Sequence, residues 1–152
     1  MRLRISKFIK ETDYFLHADM WNLDRFPIKG KVINTGLGES NLLNIAGGLA
    51  SQGNTVYIYG VAGFVIHRFE QLKFSCKHFG AKAGKIIIIN AGKYGYKELG
   101  IGHTIDDDLG LMNLIDVKVI DFPNIPLVLS KLEEIEKEPK GMWYIRLGRD
   151  LK

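Results

Sequence analysis

The stretch that decides the fold is Lys31–Gly53, KVINTGLGESNLLNIAGGLASQG. It opens on the β-branched pair Val32 and Ile33, which reads as the close of a strand, and turns through Gly36 and Gly38. It continues as a helix whose apolar positions Leu42, Ile45, Ala46, Leu49 and Ala50 share one face. Glu39 stands where the turn becomes the helix. A carboxylate there is favoured by the unpaired N–H groups and the dipole of the helix start. The same position also lets a side chain reach the cleft at the carboxyl end of a parallel strand, where open α/β sheets bind ligands.

Outward from this stretch, strands and helices alternate. Residues 3–10 read as a short helix, Tyr14–Leu16 as a strand ending in His17-Ala18-Asp19, and 20–30 as a loop with Pro27 and Gly30. Val32–Asn34 is the second strand and Thr55–Tyr59 the third. A helix is expected over 63–80, with Phe64, His67, Leu72 and Cys76 among its inward candidates. Lys85–Asn90, KIIIIN, is the fourth strand, and its unbroken apolar run implies burial on both faces. Residues 91–104 form a Gly-rich loop with Tyr94 and Tyr96, and 106–115 a short helix. Consecutive aspartates on a helix point in different directions, so Asp106-Asp107-Asp108 reads as a solvated helix start rather than a metal cluster. Val117–Asp121, a helix over 126–138 and a strand at Trp143–Leu147 complete the series. The alternation predicts right-handed βαβ crossovers and a doubly wound, mainly parallel six-stranded α/β sheet with helices on both faces.

The 152 residues suffice for one core, and nothing in their composition divides them, so residues 1–152 are expected to form a single domain. Apolar content of 46% and charged content of 25% are those of an ordinary globular protein. A net charge of +4 and a pI near 9.1 arise from scattered lysines. No dense basic block or aromatic-interleaved stripe points to nucleic acid. One cysteine, Cys76, excludes an internal disulfide and zinc-type Cys/His spacing and fits a reducing cytoplasm. The first residues lack a signal peptide's apolar core, and no run approaches the length of a membrane span. The expectation is a cytoplasmic protein with no membrane or nucleic-acid partner and no metal ligands of its own.

At Gly36-Leu37-Gly38-Glu39-Ser40-Asn41, followed by Ala46-Gly47-Gly48-Leu49-Ala50 and Gly53, the chain resembles the pyrimidine-binding (Pyr) domain of transketolase-like thiamine diphosphate enzymes. Further motifs follow in order: Ala18-Asp19 at a strand end, Phe64 with the helix HRFEQL from His67 to Leu72, and Gly100-Ile101-Gly102-His103. Asp121-Phe122-Pro123-Asn124 and Tyr144-Ile145-Arg146-Leu147-Gly148-Arg149 complete the match, which spans residues 14–149. A series of spaced motifs is more specific than any one of them.

The resemblance implies a role for each matched residue. Glu39 would share a proton with a ring nitrogen of the cofactor's aminopyrimidine, a task for a carboxyl held away from water. Phe64 would stack on that ring, and Gly36 and Gly38 would shape the turn beside it. His103 would hydrogen-bond or shuttle a proton to substrate oxygens. Asp19 and, less directly, His17 would lie at the substrate mouth. Thiamine diphosphate and Mg2+ are the implied cofactors. The diphosphate-binding (PP) domain, with its Gly-Asp-Gly, and the C-terminal domain are not found in this sequence. A separately encoded PP subunit holding the Mg2+ is therefore expected, in an α2β2 assembly built on a Pyr–Pyr dimer.

The chain departs from the family at Leu99, which replaces an aspartate that often contacts the sugar hydroxyl and so points to a different or less polar acceptor side. The expected function is a Pyr subunit that, with its partner, transfers a two-carbon ketol unit between sugars or sugar-like substrates. The alternatives are a subunit of a 2-oxo acid decarboxylase or dehydrogenase, or a non-catalytic binding relative. His67 and His78 match no functional position and read as structural or exposed. Cys76 reads as a buried small hydrophobe.

Overall fold

The computed structural model describes residues 6–20, 27–91, 99–122 and 125–147. Six strands form one sheet: β1 (Tyr14–His17), β2 (Lys31–Asn34), β3 (Thr55–Val61), β4 (Lys85–Ala91), β5 (Lys118–Phe122) and β6 (Gly141–Leu147). Their order is β2-β1-β3-β4-β6-β5, and every pairing is parallel. The expected mainly parallel sheet is thus parallel throughout.

The isoleucine run of β4 shows why the sheet is covered on both sides. Ile86 and Ile88 enter one core with α1 (Glu39–Ser51), α2 (Ala62–Ile66) and α4 (Asp108–Leu114). Ile87 and Ile89 enter a second core beneath α5 (Ile125–Lys137), joined by Ile9, Val128, Leu132 and Trp143. Successive strand residues face opposite ways, so a strand apolar at every position is stable only with both faces buried. Each of these side chains contributes on the order of 2 kcal/mol. Among the described residues no helix is long and apolar enough to cross a membrane.

Three local expectations are corrected. The helix over 3–10 reduces, within the described residues, to one 3-10 turn at Ser6–Phe8. The Asp13 carboxylate accepts the Lys10 amide at 2.8 Å and the Asp13 amide donates to the Lys10 carbonyl, so the backbone turns there instead. The helix over 63–80 is broken. α2 stops at Ile66, Arg68 leaves helical geometry at ψ 48, and α3 restarts at Phe69–Gln71 and continues as a π-helix over Leu72–Phe79. A close helix contact accompanies the wide turns, since a Cβ on Gly47 of α1 would stand 2.3 Å from the Ser75 carbonyl. The last correction concerns Asp108, which is the first residue of α4 but is fully buried rather than solvated.

Candidate functional site

The loops that leave the carboxyl ends of β1 to β4 share one edge of the sheet. β1 has β2 on one side and β3 on the other, so the connections diverge there, the position where open parallel sheets form a crevice.

Asn34, which ends β2, ties the first two loops together. Its Oδ1 accepts the Asp19 amide and the Gly36 amide, each at 3.0 Å. The second bond is an Asx turn, the local signal by which sequence could have singled Asn34 out. Asp19 is exposed at φ 47, an uncommon conformation for a residue with a side chain, and the Asn34 bond secures it. His17 is fully buried beneath it: its Nδ1 accepts the Met20 amide at 3.3 Å and its carbonyl accepts the Thr35 amide at 2.9 Å.

Gly36 adopts φ 65, which glycine reaches without steric cost, and a Cβ on Gly38 would press 3.3 Å from the Thr35 carbonyl. The helix starts on the next residue, with the Leu42 amide donating to the Gly38 carbonyl at 2.9 Å. Glu39 is therefore in the first turn of α1, half-buried. Its carboxylate makes no hydrogen bond or ion pair among the described residues.

Phe64 lies in α2, directly after β3, and is half-buried. The His103 ring meets it in an edge-to-face arrangement, with ring centroids 4.8 Å apart and planes at 65°. His103 closes a 3-10 turn, Ile101–His103, entered through Gly100 at φ 92. This turn sits close to α2 because residue 63 is glycine: a Cβ there would lie 3.1 Å from the Thr104 carbonyl and 3.2 Å from that of Gly102. The structure thus joins Phe64 to His103, and Asp19 to the Gly36 turn. α1 packs on α2, which brings the Glu39 helix to the same edge. Leu37, Leu99 and Ile101 expose aliphatic side chains on these loops.

Sequence reasoning missed two polar groups at this edge. Asn90 is fully buried at the end of β4 and accepts the Gly60 amide at 3.1 Å, while its Nδ2 has no hydrogen-bond partner among the described residues. Asp108 accepts Tyr144 Oη–H and Arg146 Nε–H, both at 2.8 Å, and Arg146 Nη2–H at 3.2 Å. Arg146 Nη1 donates to Asp121 at 3.0 Å. Burial lowers the Arg146 pKa, but the charge and hydrogen bonds of Asp108 and Asp121 outweigh it and raise the guanidinium overall. Burial, and then the neighbouring Asp108 charge, push the Tyr144 hydroxyl well above its ordinary value.

His67 is exposed and meets Asp107 at 3.2 Å, and His78 is exposed beside Phe74. Cys76 is buried, its Sγ–H donating to the Leu43 carbonyl at 3.3 Å, and burial pushes its thiol up to about 12. Among the described residues no group of three His, Cys, Asp or Glu side chains could hold a metal ion. Tyr94, Tyr96, Glu98, Pro123, Asn124, Gly148 and Arg149 lie outside the described residues.

A six-stranded parallel sheet in this order, with its loops gathered at one carboxyl edge, is the α/β fold of the transketolase Pyr module. Two solved structures illustrate the likeness. A solved structure described as a split gene transketolase, an inactive beta4 tetramer, matches 99% of this chain and 49% of its own at 22% identity and TM-score 0.74. The transketolase of Campylobacter jejuni matches 97% of this chain and 26% of its own at 14% identity and TM-score 0.68. In sequence the chain is 25% identical over 119 residues to the "Uncharacterized 33.6 kDa protein in fasciation locus" of Rhodococcoides fascians. That match covers 78% of this chain and 38% of the relative, so the chain spans well under half of the curated protein it resembles. No family model matches the chain.

Proposed function

We propose that this chain is the pyrimidine-binding half of a two-component thiamine diphosphate enzyme of transketolase type, completed by a PP module on a separate subunit. The observation that carries the reading is Glu39. It is a half-buried carboxylate in the first turn of α1, at the carboxyl edge of a parallel sheet, with no hydrogen-bond or ion-pair partner among the described residues, so its oxygens remain available to a ligand. The residues present fit an aminopyrimidine. Glu39 follows β2 and Phe64 follows β3, and the two strands flank β1, on the order of 10 Å apart. That is the scale of one heterocycle with its contacts. Gly36 leaves space beside the turn, with nothing among the described residues within 4 Å of the point where a Cβ would stand.

When bound, the cofactor supplies a carbanion equivalent and an electron sink. In this reading Glu39 holds a proton against a pyrimidine nitrogen, and Phe64 orients the ring by offset stacking. His103, steadied by the Phe64 ring, faces substrate oxygens. Asp19 lines the mouth, and buried His17 supports the turn that presents it. The partner holds Mg2+ and the diphosphate, in an α2β2 assembly built on a Pyr–Pyr contact. The reaction is transfer of a two-carbon ketol unit. The exposed Leu99 and Ile101 on the His103 loop favour an acceptor with an apolar portion.

Co-purifying the chain with a PP-type partner and assaying ketose and 2-oxo acid donors in parallel tests this. Turnover with a ketose donor, lost by at least about a hundredfold in Glu39→Gln with the circular dichroism unchanged, is the expected result. Full activity in Glu39→Gln overturns the assignment. Turnover with 2-oxo acids alone replaces it with a decarboxylase or dehydrogenase reading.

A further inference from the structure

The buried Asp108 bears on the geometry of the site. Only Thr104–Asp107 separate His103 from Asp108, so the start of α4 limits where the His103 turn can lie. Asp108 is located by two strands. The Arg146 fork and the Tyr144 hydroxyl reach it from β6, and Asp121 of β5 holds the far side of the same guanidinium. A planar fork fixes the direction of a carboxylate as well as its distance. The opposite side of the turn rests on Gly63 of α2, and Ile105, between the two anchors, is buried. The Phe64–His103 contact is formed between these supports. A buried ion pair is weak evidence for stability, because apolar residues of similar volume often serve as well. What apolar packing does not reproduce is the directional hold.

We propose that Asp108, held in place by Arg146 and Tyr144, is a positioning residue that sets the His103 ring against Phe64. The contact is read directly from the geometry; only its use at a substrate rests on the function proposed above.

The test uses the full chain with 13C-labelled histidine. The four histidines give four ring signals, and His103→Gln assigns one of them. The Phe64 ring current displaces the His103 signal, and Phe64→Leu supplies the undisplaced reference. Tyr144→Phe removes one donor from Asp108 at nearly constant volume, and Arg146→Lys keeps the charge but loses the fork. In both, the His103 signal is expected to move toward the Phe64→Leu position while His17 stays in place. Amide exchange over 101–107 should rise about tenfold or more, equivalent to ~1.4 kcal/mol, with β3 and β4 unchanged. A stationary His103 signal in both variants overturns the proposal. So does exchange that rises equally in β3 and β4, which reports a stabilising role alone. In the reconstituted enzyme, kcat should fall more than the cofactor affinity. Unchanged kcat beside a displaced His103 signal leaves the positioning in place and overturns the role given to His103.

Discussion

Asp13 lies buried at the amino edge of the sheet, opposite the candidate site. Burial raises its carboxyl pKa. The Lys10 amide and the charges of Lys10 and Lys85 oppose this, and Glu136 adds to it, leaving a net upward shift. A raised folded-state pKa means that the folded chain holds this proton more tightly than the unfolded one. The resulting stability is fully present below the unfolded value, near 4, and is lost as pH rises through the folded value. Asp13→Asn keeps an acceptor for the Lys10 amide and lacks this loss. Its melting temperature relative to wild type should therefore be more favourable at pH 7 than at pH 3.5, and a difference independent of pH would contradict the assignment. Cys76 makes a simpler case. With its thiol buried and raised to about 12, it should resist a thiol reagent at pH 8 in the folded chain and react promptly in denaturant.

The contact between α1 and α3 depends on single glycines. Gly47→Ala drives a methyl to within 2.3 Å of the Ser75 carbonyl, and Gly80 closes on the Gly47 carbonyl from the other side. Overpacking of this kind costs about 1–3 kcal/mol, read as a lower denaturant midpoint at constant m-value. Gly48, the next residue, has nothing among the described residues within 4 Å of its missing Cβ. Gly48→Ala in the same helix should stabilise by about 0.5–1 kcal/mol. Opposite signs at adjacent positions would separate packing from propensity. The same scale shows where sequence patterns reach their limit. The run of α1 from Glu39 and the isoleucines of β4 are legible because each element carries its own period. The break at Arg68 is not, because no local pattern records it, and neither is the close approach of Gly63 to the carbonyls of residues about 40 positions away.

At the scale of the molecule, the six-stranded α/β sheet and its two covering layers were readable from the alternation of elements alone. The loops carrying Asp19, Glu39, Phe64 and His103 fall at the ends of successive strands, as that alternation requires. The burial of Asp108 was not readable, since its partners Tyr144 and Arg146 lie 36 and 38 residues away. Among three consecutive aspartates, only tertiary structure selects the one that turns inward. The proposed division of labour between subunits also predicts a titration. If the diphosphate anchor lies on another chain, thiamine diphosphate with Mg2+ should give no saturable heat with this chain alone and a clear isotherm with the pair. Tight binding to the isolated chain would contradict that division.

The sheet order has a consequence during synthesis. β6 emerges after β5 yet lies between β5 and β4. Until Gly141–Leu147 clear the ribosome, β4 presents an open hydrogen-bonding flank and β5 has no neighbour to join. A nascent chain paused in α5 is thus a half-built sheet with a sticky isoleucine border, the kind of species for which chaperones compete.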